Sequence, residues 1–275
     1  MNAMHSRTLL LLLLPLLIAG SPAGGLYYFA AAVDGPQSAL IRYDRATGVA
    51  TELGSLTHAD GYLPRATMDP SGTVAAVVMP PGGRHNSPAE LLRIEPRDGR
   101  LVQTLLDDAV LFLQTPVFLS DGTLLWLRGV PGPERRGADG RLMQTLMDFE
   151  VVALPRGATE PRVVHRERAL WLELLGPAAG GRFVALSLAD DGAGTVSERE
   201  STGGLVRSAP GSRPQQAPRR NGEERSVATR TLADGAVVWW TYGSPEGQIW
   251  RLDDTPLPPA DHRGPIELSL VGEGR

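Results

Sequence analysis

The stretch "SDGTLLWLRG", Ser120 to Gly129, is echoed later in the chain by "ADGAVVWWTYG", Ala233 to Gly243. Both open on Asp-Gly and continue as a run of β-formers that reaches Trp. Asp-Gly makes a tight turn, because Asp bonds its own backbone and Gly accepts a positive φ. The residues that follow are apolar at consecutive positions rather than alternate ones. A strand buried on both faces reads this way. The phrase is therefore a turn feeding a strand that needs cover on two sides.

Working outward, the same phrase recurs at Gly72 in "DPSGTVAAVVM" and, more weakly, at Gly181 in "AAGGRFVALSL". "AGGLYYFAAAV" around Gly25 enters a first copy partway. The copies lie about 50 residues apart, the spacing of propeller blades. A second phrase follows the first in each unit: "ALIRYDRATGVATEL" from Ala39, "ELLRIEPRDGRLVQTL" from Glu90 and "FEVVALPRGATEPRVV" from Phe149. Each is a strand, a charged turn with Gly, and another strand. "TVSERESTGGLVRS" from Thr195 keeps that outline with little apolar content, and unit five gives "GQIWRLDD" from Gly247.

A unit is thus a four-stranded antiparallel meander, here called strands a to d. The b strands are continuously apolar. The c strands alternate, as in Leu40, Arg42 and Asp44 against Ile41 and Tyr43. Inner strands covered and outer strands half wet is the requirement of stacked radial blades. The sequence predicts an all-β chain: a β-propeller of about five four-stranded antiparallel blades, with units near 26–63, 64–113, 114–168, 169–225 and 226–275. A β-sandwich would not show so regular a unit, and β-helix repeats are much shorter. "LMQTLMDFEVV" from Leu142 reads as the approach to a strand rather than a helix. Unit one lacks a first strand. "IELSLVG" from Ile266 either supplies it or ends unit five, and both options stay open.

Composition excludes several chemistries. The chain has 275 residues, 42% hydrophobic and 21% charged, with a formal net charge of -4. No global basic field is present to attract nucleic acid. There is no cysteine, hence no disulfide, thiolate metal site, thiol nucleophile or lipid-modified cysteine. There is no lysine either, since all 27 basic residues are Arg, which excludes Schiff-base chemistry and Lys-dependent phosphate loops.

The start reads as an export signal over residues 1–23. His5 and Arg7 precede an almost pure Leu run from Leu9 to Ile18, broken by Pro15, and Ser21 and Ala23 have signal-peptidase spacing. Cleavage is expected after Ala23, giving a periplasmic or secreted protein. The competing reading is an uncleaved anchor, because "LYYFAAAV" continues apolar beyond the glycines.

"PRATMDPSGTVAAVVM" from Pro64 and "PVFLSDGTLLWL" from Pro116 resemble the blade phrase of TolB-like and WD40-like β-propeller proteins. There a Pro-led strand meets a Ser-Pro-Asp-Gly turn and then an apolar strand; here the turns are Asp-Pro-Ser-Gly and Ser-Asp-Gly. The resemblance covers units two, three and five. It implies a periplasmic or cell-surface protein that binds proteins or small ligands, and it is a likeness of fold.

Motifs for catalysis are sparse. Asp121 and Asp234 read as turn residues. "YDRATG", Tyr43 to Gly48, has the Asp-x-x-Thr-Gly of quinoprotein blades without their docking Trp, and reads as a hairpin turn. There is no Gly-x-Ser-x-Gly elbow, and "SDGTLLW" does not meet the sialidase Asp box. The five histidines, His5, His58, His85, His165 and His262, are not paired at ligand spacing. Asp107-Asp108, Asp190-Asp191 and Asp253-Asp254 read as solvated turn acids. No catalytic residue, metal or cofactor is assigned.

Meander geometry supplies the candidate site. The a–b and c–d turns fall on one end of the blades, the b–c loops and d–a connections on the other. The short Gly turns belong to the first end. The long irregular segments belong to the second: "LTHADGYLP" from Leu56, "PPGGRHNSPA" from Pro80 and "RGVPGPERRGADGR" from Arg128. Binding residues favour variable loops on a rigid scaffold. His58, Arg84, His85, Arg135 and Arg136 are the ligand-binding candidates, and their arginines suit an acidic partner. "SAPGSRPQQAPRRNGEER", Ser208 to Arg225, reads as a flexible insertion. The expected function is a monomeric, non-enzymatic binding scaffold of the cell envelope, taking an envelope protein or a small acidic ligand. The alternative is a lactonase-like, metal-dependent propeller hydrolase with a central-channel site.

Overall fold

The computed structural model describes residues 25–32, 35–84, 87–111, 114–130 and 145–211, and, by backbone alone, the strands at 135–136, 142–143, 227–231, 237–241, 250–252, 255–256 and 266–274. All regular structure among these residues is β.

The strands fall into successive antiparallel meanders. The first sheet has the order β22 (Ile266–Gly274), β1 (Gly25–Ala32), β2 (Gln37–Asp44), β3 (Val49–Thr57). The second unit is β4 (Arg65–Met68), β5 (Val74–Val78), β6 (Ala89–Arg97) and β7 (Arg100–Val110). The third is β8 (Val117–Phe118), β9 (Leu124–Val130), β12 (Met147–Leu154) and β13 (Arg162–Ala169), with the small hairpin β10 (Arg135–Arg136) and β11 (Leu142–Met143) in its b–c loop. Val110 pairs with Arg128, so the second and third units share one continuous sheet. The fourth unit is β14 (Trp171–Ala178), β15 (Arg182–Leu188), β16 (Gly194–Glu200) and β17 (Leu205–Pro210). The fifth is β18 (Val227–Thr231), β19 (Val237–Thr241), β20 (Trp250–Leu252) and β21 (Thr255–Pro256). First strands touch in turn: β22 against β4, β4 against β8, β8 against β14. This is the strand plan of a β-propeller.

The choice left open for "IELSLVG" is resolved. β22 pairs with β1 from Ile266↔Ala32 to Gly274↔Gly25, while β21 supplies the fourth strand of the last unit. The last described strand thus completes the sheet of the first.

The first four units pack one on the next through their b and c strands. Phe29 and Leu40 of the first unit meet Val74, Ala76 and Ile94 of the second. Ala75, Val77 and Leu91 meet Leu124, Trp126 and Val152 of the third. Leu125, Leu127, Phe149 and Val151 meet Leu172, Phe183 and Ala185 of the fourth. Alternate residues of one strand enter different clusters, which is why β5 is buried at every position. Removing this apolar surface from water is worth roughly 25 cal/mol per Å², and neither face of a lone unit would be covered. β2 departs from the alternation expected of a c strand: Ser38 to Ile41 are all buried, and Arg42 is exposed. "LMQTLMDFEVV" is extended at β11 and β12.

One five-residue turn serves repeatedly. In 119–123 the Leu119 N–H donates to the Thr123 carbonyl and the Gly122 N–H to the Leu119 carbonyl; 69–73, 189–193 and 200–204 repeat both bonds. The fourth residue is always Gly with positive φ: 91° at Gly72, 84° at Gly122, 80° at Gly192, 92° at Gly203. Asp121 and Asp191 each accept the N–H two residues on. Asp69 instead accepts from the N–H groups of Ser71 and Thr73. The β6–β7 hairpin uses Asp98-Gly99, both at positive φ, as a two-residue turn of matching twist requires. Asp44 accepts from the Ala46 and Thr47 N–H groups, so "YDRATG" is a hairpin turn.

The polar segment expected from Ser208 starts later. Ser208 to Pro210 pair with β16 as part of β17, a fully exposed outermost strand that needs no apolar face. Residues 212–226 lie outside the described residues, as does the expected signal segment 1–23.

Outer strands of neighbouring units approach closely at one glycine. Gly54 in β3 has φ 141°, and a Cβ there would stand 3.0 Å from the Leu101 nitrogen and 3.1 Å from the Arg100 carbonyl carbon in β7. Both obstacles are backbone and cannot swing aside. Gly54→Ala is expected to cost about 2–3 kcal/mol through overpacking and φ strain, lowering the melting midpoint by about 5–10 °C. Gly157→Ala, also at positive φ but with nothing near its Cβ, separates the strain from the clash and should cost about 1 kcal/mol. Thermal unfolding of both variants checks this.

Candidate functional site

Two of the long segments, the β3–β4 connection and the β5–β6 loop, meet at one end of the second unit. The Ala59 N–H donates to the Met79 carbonyl at 2.9 Å, joining the β3–β4 connection to the β5–β6 loop. The Leu111 N–H donates to the Leu127 carbonyl at 3.0 Å, joining the β7–β8 connection to the strand that enters the β10–β11 hairpin.

The candidate residues differ in placement. His58 is 1% exposed. Its Nδ1 lies 2.8 Å from the Ala59 carbonyl, to which it donates, so Nε2 accepts from the Ser38 hydroxyl at 2.7 Å. It is enclosed rather than presented on the loop surface. Its imidazole ties the β3–β4 connection to β2. Arg84 is exposed, in a loop closed by Gly83 N–H to Pro80 carbonyl and Ser87 N–H to Arg84 carbonyl bonds. Arg135 and Arg136 form β10 and pair with Met143 and Leu142; their side chains lie outside the described residues, as does His85. The structure therefore brings the Arg84 and His58 loops to one end without joining the two side chains.

A polar array at the same end was not anticipated. Asp107, expected as a solvated turn acid, lies within β7 with its side chain 2% exposed. Its Oδ2 accepts from the Trp126 indole N–H at 2.5 Å and from Arg128 Nε at 2.7 Å, and its Oδ1 from the Ala109 N–H. Arg128 Nη1 stands 4.0 Å from Glu150, whose other oxygen accepts from Arg166 Nε at 2.9 Å. Asp107, Arg128, Glu150 and Arg166 thus alternate in sign across β7, β9, β12 and β13. Beyond them Asp148 faces Arg168 at 3.9 Å, around a shallow groove of about 310 Å³ bordered by Val130. The hint available in the sequence was Trp126 itself, since a buried indole N–H needs an acceptor. Gln114, in the neighbouring connection, is buried, and its Nε2 has no hydrogen-bond partner among the described residues.

A second cluster lies between the third and fourth units. Glu167 accepts from His165 Nε2 at 3.1 Å and from the Ser187 hydroxyl. The His165 hydrogen bond holds the Glu167 carboxyl below its ordinary value of 4.5, against the opposing effect of burial, with Ser187 adding to the lowering. Ser187 donates to the carboxylate and not to the imidazole, so Glu167 is the centre of the hydrogen-bonded trio. Among the described residues, no three His, Cys, Asp or Glu side chains gather as a metal would require, and no helix is long and apolar enough to cross a membrane.

No protein-family model matches the chain, and no curated protein matches its sequence. Solved structures match in fold. TolB from Acinetobacter baumannii aligns at 12% identity and TM-score 0.47, over 92% of this chain and 54% of that one. An oligogalacturonate lyase in complex with manganese aligns at 16% identity and TM-score 0.43, over 87% of this chain and 64% of that one. A thermostable family-43 glycoside hydrolase aligns at 12% identity and TM-score 0.44, over 87% of this chain and 92% of that one. The chain spans about half of the TolB chain and less than two thirds of the lyase chain. No residue or activity is carried across at such identities.

Two outcomes follow from the polar clusters. Asp107→Ala leaves the buried indole N–H and the Arg128 guanidinium without their acceptor, and should destabilise by about 3–5 kcal/mol; Asp108→Ala, at the exposed neighbour, should change little. Denaturant unfolding of both variants measures the difference. Glu167, with its carboxyl lowered on folding, contributes stability above its unfolded value, lost as pH falls through the folded one. Thermal midpoints taken from about pH 6 to about pH 3 should therefore fall less steeply for Glu167→Gln than for the wild type; equal slopes would remove Glu167 from the acid response.

Proposed function

We propose that this protein is an exported, non-enzymatic β-propeller that binds an envelope protein or a small acidic ligand through the loop end of its second and third units. The observation that carries this reading is the uneven length of the b–c connections. They run over 79–88 in the second unit and 131–146 in the third, but the fourth closes in the tight turn 189–193 and the first in 33–36. Among the first four units the elaboration falls on one sector, and variable loops on a rigid scaffold are where recognition is built.

In this reading the ring closes as five blades, β22 completing the first. The segment 1–23 is removed after Ala23, and the mature chain works as a monomer in the periplasm or outside the cell. Arg84, His85, Arg135 and Arg136 contact the acidic partner, with guanidinium groups forking onto carboxylates. His58 acts behind them, holding the β3–β4 connection against β2 through Ser38.

The test uses the mature chain immobilised and exposed to envelope extract. The wild type should capture a partner that is lost when 131–144 is replaced by a short Gly linker, and lost equally with Arg135→Glu plus Arg136→Glu. Retention of every captured species by both variants contradicts the proposal.

A further inference from the structure

At the opposite end, where the tight turns lie, a cleft of about 230 Å³ opens between the second and third units. It is lined by the 69–73 turn, β6, the 119–123 turn and the β12–β13 turn. Its apolar side is the end of the core shared by these units, where Leu106 and Phe118 are only partly buried and pack on Leu124 and Leu154.

Two arginines line it from opposite units: Arg93 of β6 and Arg156 of the β12–β13 turn. Among the described residues neither has a hydrogen-bond or ion-pair partner. Neither of the two carboxylates in the cleft pairs with them. Asp69 is occupied by the Ser71 and Thr73 N–H groups and the Ser71 hydroxyl, and Glu95 is turned to Arg97 at 3.4 Å. The Arg156 stem is laid across Gly122, where a Cβ would stand 2.9 Å from Arg156 Cδ. The glycine leaves room for the arginine stem at the wall of the cleft.

We propose that this cleft is a binding site for a small carboxylate carried on an apolar body. Arg93 and Arg156 take the carboxylate from its two sides, and Phe118 and Leu106 take the apolar part. The volume lies below the range of about 300–1,000 Å³ usual for ligand pockets, which limits the occupant to about one ring or a short chain. The site is independent of the loop end. It shares no residue with the segment 131–144.

Phenylacetate, one carboxylate on one ring, is the probe, and phenylacetamide is its uncharged isostere. Titration of the full chain, followed by NMR, should give saturable phenylacetate binding with Kd on the order of 1 mM. The amide should bind about tenfold more weakly. Arg156→Gln, at an exposed side chain whose loss leaves the fold intact, should weaken phenylacetate about tenfold and leave the amide unchanged. Arg93→Gln should do the same, with its thermal midpoint confirming that it is folded. Replacing 131–144 with a Gly linker should leave phenylacetate binding unaltered, which keeps this result separate from that of the loop end. No saturation up to about 20 mM, equal affinity for acid and amide, or indifference to Arg156→Gln would each overturn the proposal.

Discussion

Strands β5 and β9 are apolar on both faces, and this is the constraint from which the rest of the molecule follows. A strand of that kind cannot lie at a surface, so every unit must have a neighbour on each side. Ala75 and Val77 face the third unit while Val74 and Ala76 face the first. The first four units satisfy the demand by stacking one on the next, and β22 joins the edge of the first unit's sheet beside β1. Because the inter-unit faces are filled this way, variation is pushed to the two ends of the strands.

The polar groups obey the same geometry. Along β9, Leu124 and Trp126 enter the apolar contact with the second unit, and the next residue on that face, Arg128, has reached its margin. There a buried carboxylate becomes affordable, because Asp107 finds three donors at once. The alternating charges of Arg128, Glu150 and Arg166 continue outward over three strands as solvent access rises. The far end of the same contact is closed by turns that all need a Gly at positive φ. The turns are built to be compact, and the cleft between the second and third units is what remains where two of them fail to meet.

Much of this architecture was legible in the sequence. Asp-Gly followed by consecutive apolar residues is a local signal: a turn needs Gly, and a doubly covered strand needs no polar face. The long loops were equally visible as breaks in the repeat. What could not be read depends on three-dimensional neighbours. "LLDDAV" gives no sign that Asp107 turns inward while Asp108 turns out, since both fit a wet turn. The end of β17, from Ser208, was read as flexible because an outermost strand carries no apolar signature. The burial of His58 was not legible because its partners, Ser38 and the Ala59 carbonyl, are fixed by a connection that periodicity does not describe. The pairing of β22 was undecidable locally, because a strand that completes another unit's sheet looks like any other strand.

The pairing of β22 with β1 is the central claim, since it ties the last described strand into the sheet of the first unit. Native-state hydrogen exchange resolved by residue tests it without altering the chain. The account predicts that the β22 amides exchange as slowly as those of β1 and β2 and are released with them in one cooperative opening. Fast exchange of β22, independent of β1 and β2 while the latter stay protected, would contradict it.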